Sequence, residues 1–333
     1  MHYFITGHTG FKGGWLILLL RSLGHEVSGY SLPAAEGSLF ERAGLENELL
    51  NHFEGDIRNL KALKAAVAKS APHFAIHMAA QSLVLRSYED PIETYSTNVG
   101  GTRNFLQAIS EVENPPISLV ITTDKVYRDE GKDAYIESDP LGGHDPYSAS
   151  KAMADILTQS WAATNQELRL HVARAGNVIG AFDVSADRIL PDALRALAAN
   201  RPLIVRSPNA VRPWQHVLDC LSGYISFLDR AAAGVELPTA LNFGPDSQSI
   251  RTVGDLLLEV KKSLPDLEVQ YESSPAKEAQ LLSLNSARSF ELLGWKNRIG
   301  FTDAVNWAIT MAQSSNPPTD AKNQVANFLE LEG

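Results

Sequence analysis

The feature that most narrows the folds open to this chain is a rhythm of short apolar strand, turn and helix, repeated from the first residues onward. Residues 3–6 read as a strand that runs straight into Gly7, Gly10 and Gly13, and residues 14–23 as a helix stopped by Gly24. Residues 27–30 form the next strand, and a third ends near Phe53, before Gly55 and Asp56. A helix over 60–70 carries Leu60, Leu63 and Val67 on one face. Strands follow at 74–78, 117–122 and 170–174, with a long helix over 92–109 and another from Pro146. Such alternation demands right-handed crossovers and a sheet covered on both faces. The expected fold is α/β, a Rossmann-type doubly wound parallel sheet.

After Arg174 the rhythm loosens. Helices over 188–199, 218–231, 253–264 and 302–313 stand between short strands and Pro-containing loops, which suggests a smaller mixed α/β lobe capping the carboxyl edge of the sheet. We place the division at 1–178 and 179–333, with some chain crossing between the two. The tail from Ser314, which holds Pro317 and Pro318, is expected to be loosely ordered.

Composition excludes several partners. A formal charge of −10 over 333 residues argues against nucleic acid and against an anionic membrane surface, while a few placed arginines still suffice for an anionic small molecule. The most apolar run, Trp15 to Leu20, falls far short of the roughly 20 residues of a membrane helix and of a signal peptide. The single Cys220 excludes an internal disulfide or a cysteine metal cluster, so a cytoplasmic protein is expected. His73 and His77 are too far apart on a strand to share a metal, and no H-E-x-x-H or G-x-S-x-G occurs, so no metal site is expected.

The glycines carry the first chemistry. Gly7, Gly10 and Gly13 allow a tight turn with close backbone approach, and the helix they open presents free N–H groups to a pyrophosphate. The bland alternative is an ordinary strand-to-helix turn. The acid expected on an adenosine ribose, at the end of the second strand, is replaced by Ser31, which is neither a carboxylate nor an Arg for a 2′-phosphate. Asp56 and Ile57 end the third strand, where they meet an adenine edge and face, although Asp56 also suits a helix N-cap.

Tyr147 and Lys151 form Y-x-x-x-K on a helix, one turn apart on one face, so the ammonium favours the phenolate and lets Tyr147 act as a base. The preceding strand ends in Thr123, Asp124 and Lys125, at the edge where polar side chains enter a ligand crevice. Asp124 and Lys125 offer a proton donor and acceptor if buried, and a solvated turn pair if not. Cys220 sits in an apolar helix and reads as core.

From Ile5 to about Gly244, and more weakly to Trp295, the chain resembles the extended short-chain dehydrogenase/reductase superfamily and, within it, the CDP-glucose 4,6-dehydratases. The stretches that carry this begin at Thr6-Gly7-His8-Thr9-Gly10-Phe11-Lys12-Gly13, Met78-Ala79-Ala80-Gln81 and Tyr95-Ser96-Thr97-Asn98. Others are Thr123-Asp124-Lys125, Gly142-Gly143-His144-Asp145-Pro146-Tyr147, Arg174-Ala175-Gly176-Asn177 and Arg212-Pro213-Trp214-Gln215-His216. The wider sugar-nucleotide dehydratases usually carry Asp-Glu where this chain has Asp124-Lys125.

The resemblance implies NAD as cofactor, held by Gly7, Gly10, Phe11, Lys12 and Gly13, by Asp56 and Ile57, by Ala79, Ala80, Gln81 and Asn98, and by Tyr147 and Lys151. It implies that Tyr147, aided by Lys151 and Thr123, takes the sugar 4-OH proton as the C4 hydride leaves. Lys125 or a neighbour then removes the C5 proton, Asp124 protonates the departing C6 hydroxyl, and the hydride returns to C6. Asn177, Arg188 and Arg212 match positions that hold the substrate diphosphate. Pairing through the helices over 92–109 and 146–165, in a homodimer or dimer of dimers, is implied as well. Three places depart from the pattern: Leu85 replaces Arg, Gly180-Ala181-Phe182-Asp183-Val184 replaces Gly-Gly-Gly-Asp-Trp, and Lys277 replaces His. The same residues leave open a sugar-nucleotide epimerase, a dehydratase for another nucleotide sugar, or an NAD-binding sensor without catalysis.

No basic residue follows Tyr30 in Ser31-Leu32-Pro33, so NAD rather than NADP should support turnover, which titration of both into the apo-protein checks against a refuting margin of about tenfold, or about 1.4 kcal/mol. Tighter binding of NADP by that margin would contradict this.

Overall fold

The computed structural model describes residues 1–272 and 283–331. Seven strands, β1 (His2–Thr6), β2 (Glu26–Ser31), β3 (Asn51–Glu54), β4 (Phe74–His77), β5 (Ile117–Thr123), β6 (Leu170–Ala175) and β7 (Ala240–Phe243), form one sheet. Its order is β7-β6-β5-β4-β1-β2-β3, and every neighbouring pair is parallel. The order turns back between β1 and β4, so their following loops diverge and open a crevice at the carboxyl edge. All residues of β1, β4, β5 and β6 are buried, as expected of strands covered on both faces.

Helix α1 (Phe11–Ser22) is buried from Gly13 to Leu20 on every face. That explains the apolar run: the sheet lies on one side of it and the C-terminal helix on the other. The Trp15 indole N–H donates to Ala181 O at 3.1 Å, tying α1 to the second half of the chain. Helix α2 (Leu60–Ser70) is capped by Asn59, whose side chain accepts from Ala62 N at 3.1 Å, and not by Asp56.

The cleft wall continues through α3 (Val84–Glu89) into a rod that differs from the expected single helix over 92–109. It consists of α4 (Pro91–Tyr95), a π-helical turn over Ser96–Gly100, and α5 (Gly101–Ser110). The widened turn directs Asn98 inward, where Nδ2 donates to Gln81 O at 3.0 Å and to Ser150 Oγ at 2.9 Å. Helices α6 (Pro146–Thr164), α7 (Ile189–Ala198) and α8 (Val217–Ala232) follow.

In the second half, Val178–Ile179 pairs with Gln215–His216, Leu203–Val205 with Val269–Tyr271, and Val211–Pro213 antiparallel with Ile250–Thr252. This half also returns to the first, since β7 extends the main sheet beside β6. The tail corrects an expectation: Pro317–Glu330 is helix α9, packed on α1 with Ala321, Val325 and Phe328 fully buried. Pro317 and Pro318 occupy its first turn, where proline is compatible with a helix because those N–H groups lack intrahelical acceptors anyway.

Arg174 on β6 and Asp155 on α6 are a buried pair, 1% and 0% exposed. The guanidinium donates bidentately, Nε to Oδ2 at 2.8 Å and Nη2 to Oδ1 at 2.9 Å. Thr122 and Gln159 supply further donors to the carboxylate. Asp155→Ala leaves the guanidinium buried without its counter-charge and should cost about 3–5 kcal/mol in chemical denaturation.

Candidate active site

A cleft of about 2370 Å³ runs along the carboxyl edge of the sheet, from the glycine turn after β1 to the second half of the chain. At Gly7, φ is 79°, and a Cβ would stand 2.8 Å from Ala79 N. At Gly13 a Cβ would collide with Gly7 O and His8. Side chains are therefore excluded where a dinucleotide needs the backbone, and the first-turn amides of α1 have no acceptors within the helix. The residues present fit NAD.

Ser31, which stands in place of the expected acid, lines the cleft. Thr9 Oγ1 donates its one proton to Leu32 O at 2.9 Å, so at their 2.7 Å contact Ser31 is the donor. That leaves the Ser31 oxygen with acceptor capacity beside the cleft. Asp56 is gripped by Arg58, through Nε to Oδ1 at 2.9 Å and the backbone N–H to the same oxygen at 2.8 Å, which holds its carboxyl below the usual range. Phe11, Ile57, Ala79, Ala80 and Gln81 line the same side. Two residues behave differently from expectation. Lys12 turns its Nζ toward Tyr224 Oη at 3.1 Å, leaving its backbone amide to the turn. Asn98 is 1% exposed and lies behind the lining, with Oδ1 accepting from Gln81 N at 2.8 Å.

Tyr147 and Lys151 occupy the first turns of α6, which Asp145 caps by accepting from Ser148 N at 2.9 Å. Lys151 Nζ donates to Ile121 O at 3.0 Å on β5. Burial, with repulsion from Lys12, pushes its ammonium down to about 8 against the attraction of Asp155. Burial raises the Tyr147 phenol, while the Arg188 charge and a hydrogen bond with Thr123 act to lower it. Asp124 is 2% exposed; its Oδ1 accepts from Thr123 Oγ1 at 2.8 Å and lies 3.6 Å from Lys125 Nζ. Its Oδ2 is buried with no protein partner. The solvated-turn alternative for Asp124 therefore fails, whereas the Lys125 side chain keeps 25% of its surface exposed.

Across the cleft stand Asn177, Arg188 at the N-cap of α7, and Arg212. Sequence reasoning missed Arg201 and Arg206, which line the same wall, and Tyr224, the partner of Lys12. Arginines in a loosely patterned stretch carry no spacing that would have singled them out.

The description of the NAD-dependent epimerase/dehydratase family fits residues 3–244. A CDP-glucose 4,6-dehydratase of Salmonella typhimurium is 38% identical over 98% of this chain and 95% of its own length. The chain belongs to the NAD-dependent epimerase/dehydratase family. Solved structures share the fold: a dTDP-glucose 4,6-dehydratase of Bacillus anthracis in complex with NAD superposes at a TM-score of 0.80, with 20% identity, 93% of this chain and 96% of the other. A UDP-glucose 4-epimerase of Bifidobacterium longum with NAD+ and UDP gives 0.82 at 18% identity, over 96% and 99%.

Family membership gives the departures their context. Leu85 is exposed on the cleft wall, and the neighbouring Arg86 is engaged by Glu93 at 2.9 Å. Phe182 takes φ 61°, a left-handed conformation that costs a residue with a Cβ about 1 kcal/mol, where the resembling sequences have glycine. Lys277 lies outside the described residues. Among the described residues no cluster of His, Cys, Asp and Glu is suited to a metal.

Lys151 makes a pH demand. Its folded value of about 8 lies below the ordinary 10.5, so between those values the unfolded chain binds a proton that the folded one has lost. Stability of the apo-protein relative to Lys151→Met should therefore rise as pH passes from about 8 to about 10.5, by on the order of 3 kcal/mol at most. Thermal or denaturant unfolding of both proteins across that window checks it.

Proposed function

We propose that this protein is a lyase, a CDP-glucose 4,6-dehydratase that oxidises C4 of the sugar, eliminates water across C5 and C6, and reduces C6. The observation that carries the reading is the buried Asp124 carboxyl, with one oxygen unpartnered, directly behind Thr123, Lys125 and Tyr147, which line the cleft. The 38% identity to the Salmonella enzyme supports CDP-glucose as substrate.

Tyr147 takes the 4-OH proton, with the Arg188 charge stabilising the phenolate and Thr123, whose own proton goes to Asp124, orienting the phenol. NAD, which the glycine turn after β1 and Lys151 would hold, would supply the reversible hydride transfer that links oxidation at C4 to reduction at C6. The C4 ketone acidifies the C5 proton, which Lys125 removes and, after exchange with solvent, returns to C5 when C6 is reduced. Asp124 Oδ2, with no protein acceptor to compete, delivers the proton that lets the C6 hydroxyl depart as water. Lys151 holds the cofactor's nicotinamide end and supports the phenolate electrostatically. Asn177, Arg188 and Arg212 hold the diphosphate, for which the planar guanidinium is suited.

In this reading residues 1–178 carry the cofactor and the catalytic set and 179–333 the sugar nucleotide. No helix among the described residues is long and apolar enough to cross a membrane, and the protein works in the cytoplasm. Exposed Ile92 on α4 and Met153 and Ile156 on α6 supply the apolar face through which two copies pair as a homodimer. A 4-epimerase needs neither an acid at C6 nor a base at C5, which leaves Asp124 and Lys125 without a task. A non-catalytic sensor leaves the whole set without one.

Asp124→Asn and Lys125→Met should each accumulate reduced cofactor, read by absorbance, with little 6-deoxy product. In the parent enzyme, deuterium at C4 of CDP-glucose should reappear at C6 and solvent deuterium should enter C5. Return of the label to C4, with full activity in both variants, would establish the epimerase instead. Separate incubations with CDP-glucose, UDP-glucose and dTDP-glucose, followed by mass, identify the substrate by loss of one water.

A further inference from the structure

Tyr147 is the second residue of α6, directly after Pro146, so its N–H is one of the amides for which a helix start offers no internal acceptor. The helix cap does not serve it: Asp145 takes the next amide, that of Ser148. The Tyr147 N–H goes instead to a side chain on the cleft wall, Ser87 Oγ of α3, at 3.1 Å. Ser87 is fully buried, and its own proton goes to Val84 O at 2.6 Å, which leaves the oxygen an acceptor toward Tyr147. On the other side of the same residue, Tyr147 O accepts from Ser150 Oγ at 2.7 Å. Ser150 is held in turn by Asn98. The residue that carries the phenol is thus gripped at both of its peptide groups, and one grip comes from the wall of the site.

That wall is a short helix with a distinctive surface. Leu85 and Tyr88, either side of Ser87 on α3, are exposed and line the cleft. Arg86 pins α3 to Glu93 of α4 through two bonds of 2.9 Å. Gln81 Oε1 accepts from Leu83 N at 2.6 Å and fixes its entry. With both ends of α3 anchored, a load on its cleft face reaches α6 through the Ser87 hydroxyl.

We propose that Ser87 is a positioning residue for Tyr147. It holds the start of α6 against α3, so that the phenol stays beside Thr123 and Arg188, and it couples the seating of a sugar nucleotide on the Leu85 and Tyr88 face to the placement of the base. This rests on Tyr147 being the base, and Tyr147→Phe, assayed alongside, tests that premise separately.

Ser87→Ala removes the acceptor with almost no change in shape. In the full-length protein with NAD and CDP-glucose, it should lower kcat about tenfold and leave KM and the NAD dissociation constant within about twofold, because the diphosphate and cofactor contacts lie elsewhere. Tyr147 leaves the field of Arg188 and the hydrogen bond of Thr123, so the acidic limb of the kcat profile should move up by about one pH unit. Ultraviolet titration of the phenol in the apo-protein, referenced to Tyr147→Phe, should move the same way without any turnover. Ser87→Thr, which keeps the hydroxyl, should restore both. An unshifted midpoint in Ser87→Ala, whatever its rate, overturns the proposal, as does a Ser87→Thr variant no better than Ser87→Ala. Retained turnover in Tyr147→Phe would reject the base assignment, whereas an inactive Tyr147→Phe beside an unshifted Ser87→Ala rejects the role of Ser87 alone.

Discussion

The bidentate contact between Arg174 and Asp155 is the point on which the geometry of the site depends. Asp155 lies one turn beyond Lys151 and two beyond Tyr147, so all three share the face of α6 that meets the sheet. Each is fixed by a different atom of the strands: Tyr147 by Thr123, Lys151 by Ile121 O, Asp155 by Thr122 and Arg174. Arg174 also reaches Tyr127 Oη at 2.9 Å and Glu137 O at 3.1 Å, which binds the loop after β5 into the same network. Burying two charges is costly, and here bidentate geometry and further donors offset it. What the pair secures is the register of the catalytic helix against the strand that ends in Thr123 and Asp124.

A second consequence concerns two neighbouring ammonium groups, the half-buried Lys12 and the buried Lys151. The Lys12 charge stands close enough to disfavour charge on Lys151, which Asp155 partly relieves. Lys12 finds the Tyr224 hydroxyl and approaches Cys220 Sγ at 3.7 Å, on a helix from the second half of the chain. Lys12, which lines the cofactor cleft, is therefore backed by α8, some 200 residues from the glycine turn. Trp15 makes the same connection on the other face of α1 through Ala181 O. The two halves of the chain share one core, in which α1 is buried between the sheet and α9.

Much of the fold was legible because periodicity and turn chemistry are local. The glycine turn, the strands that carry Thr6, Thr123 and Arg174, and the Tyr147 and Lys151 pair stand where spacing put them. Two readings failed for physical reasons. Pro317 and Pro318 read as breakers, yet proline is harmless in a first turn, and the stripe of Ala321, Val325 and Phe328 was the overlooked sign of a docking face. The expected uniform helix over 92–109 contains a π-helical turn, because Asn98 has partners on Gln81 and Ser150 that no periodicity reveals. Asn98 accordingly supports the cleft lining from behind.

By itself, the sequence determined which chemistry the chain is able to host: a backbone cradle for a pyrophosphate, a phenol one helical turn from an ammonium, and an acid next to a lysine at a strand end. These follow from residue type and spacing over fewer than a dozen positions, where geometry is set by the local backbone. Only the tertiary structure decided which oxygen of Asp124 is unpartnered, that Ser31 keeps acceptor capacity beside the cleft, that Lys12 faces Tyr224, and that the Tyr147 amide is held by Ser87. Each of these depends on residues brought together from different elements, and on which of several possible partners a single proton is left to choose once the others are committed.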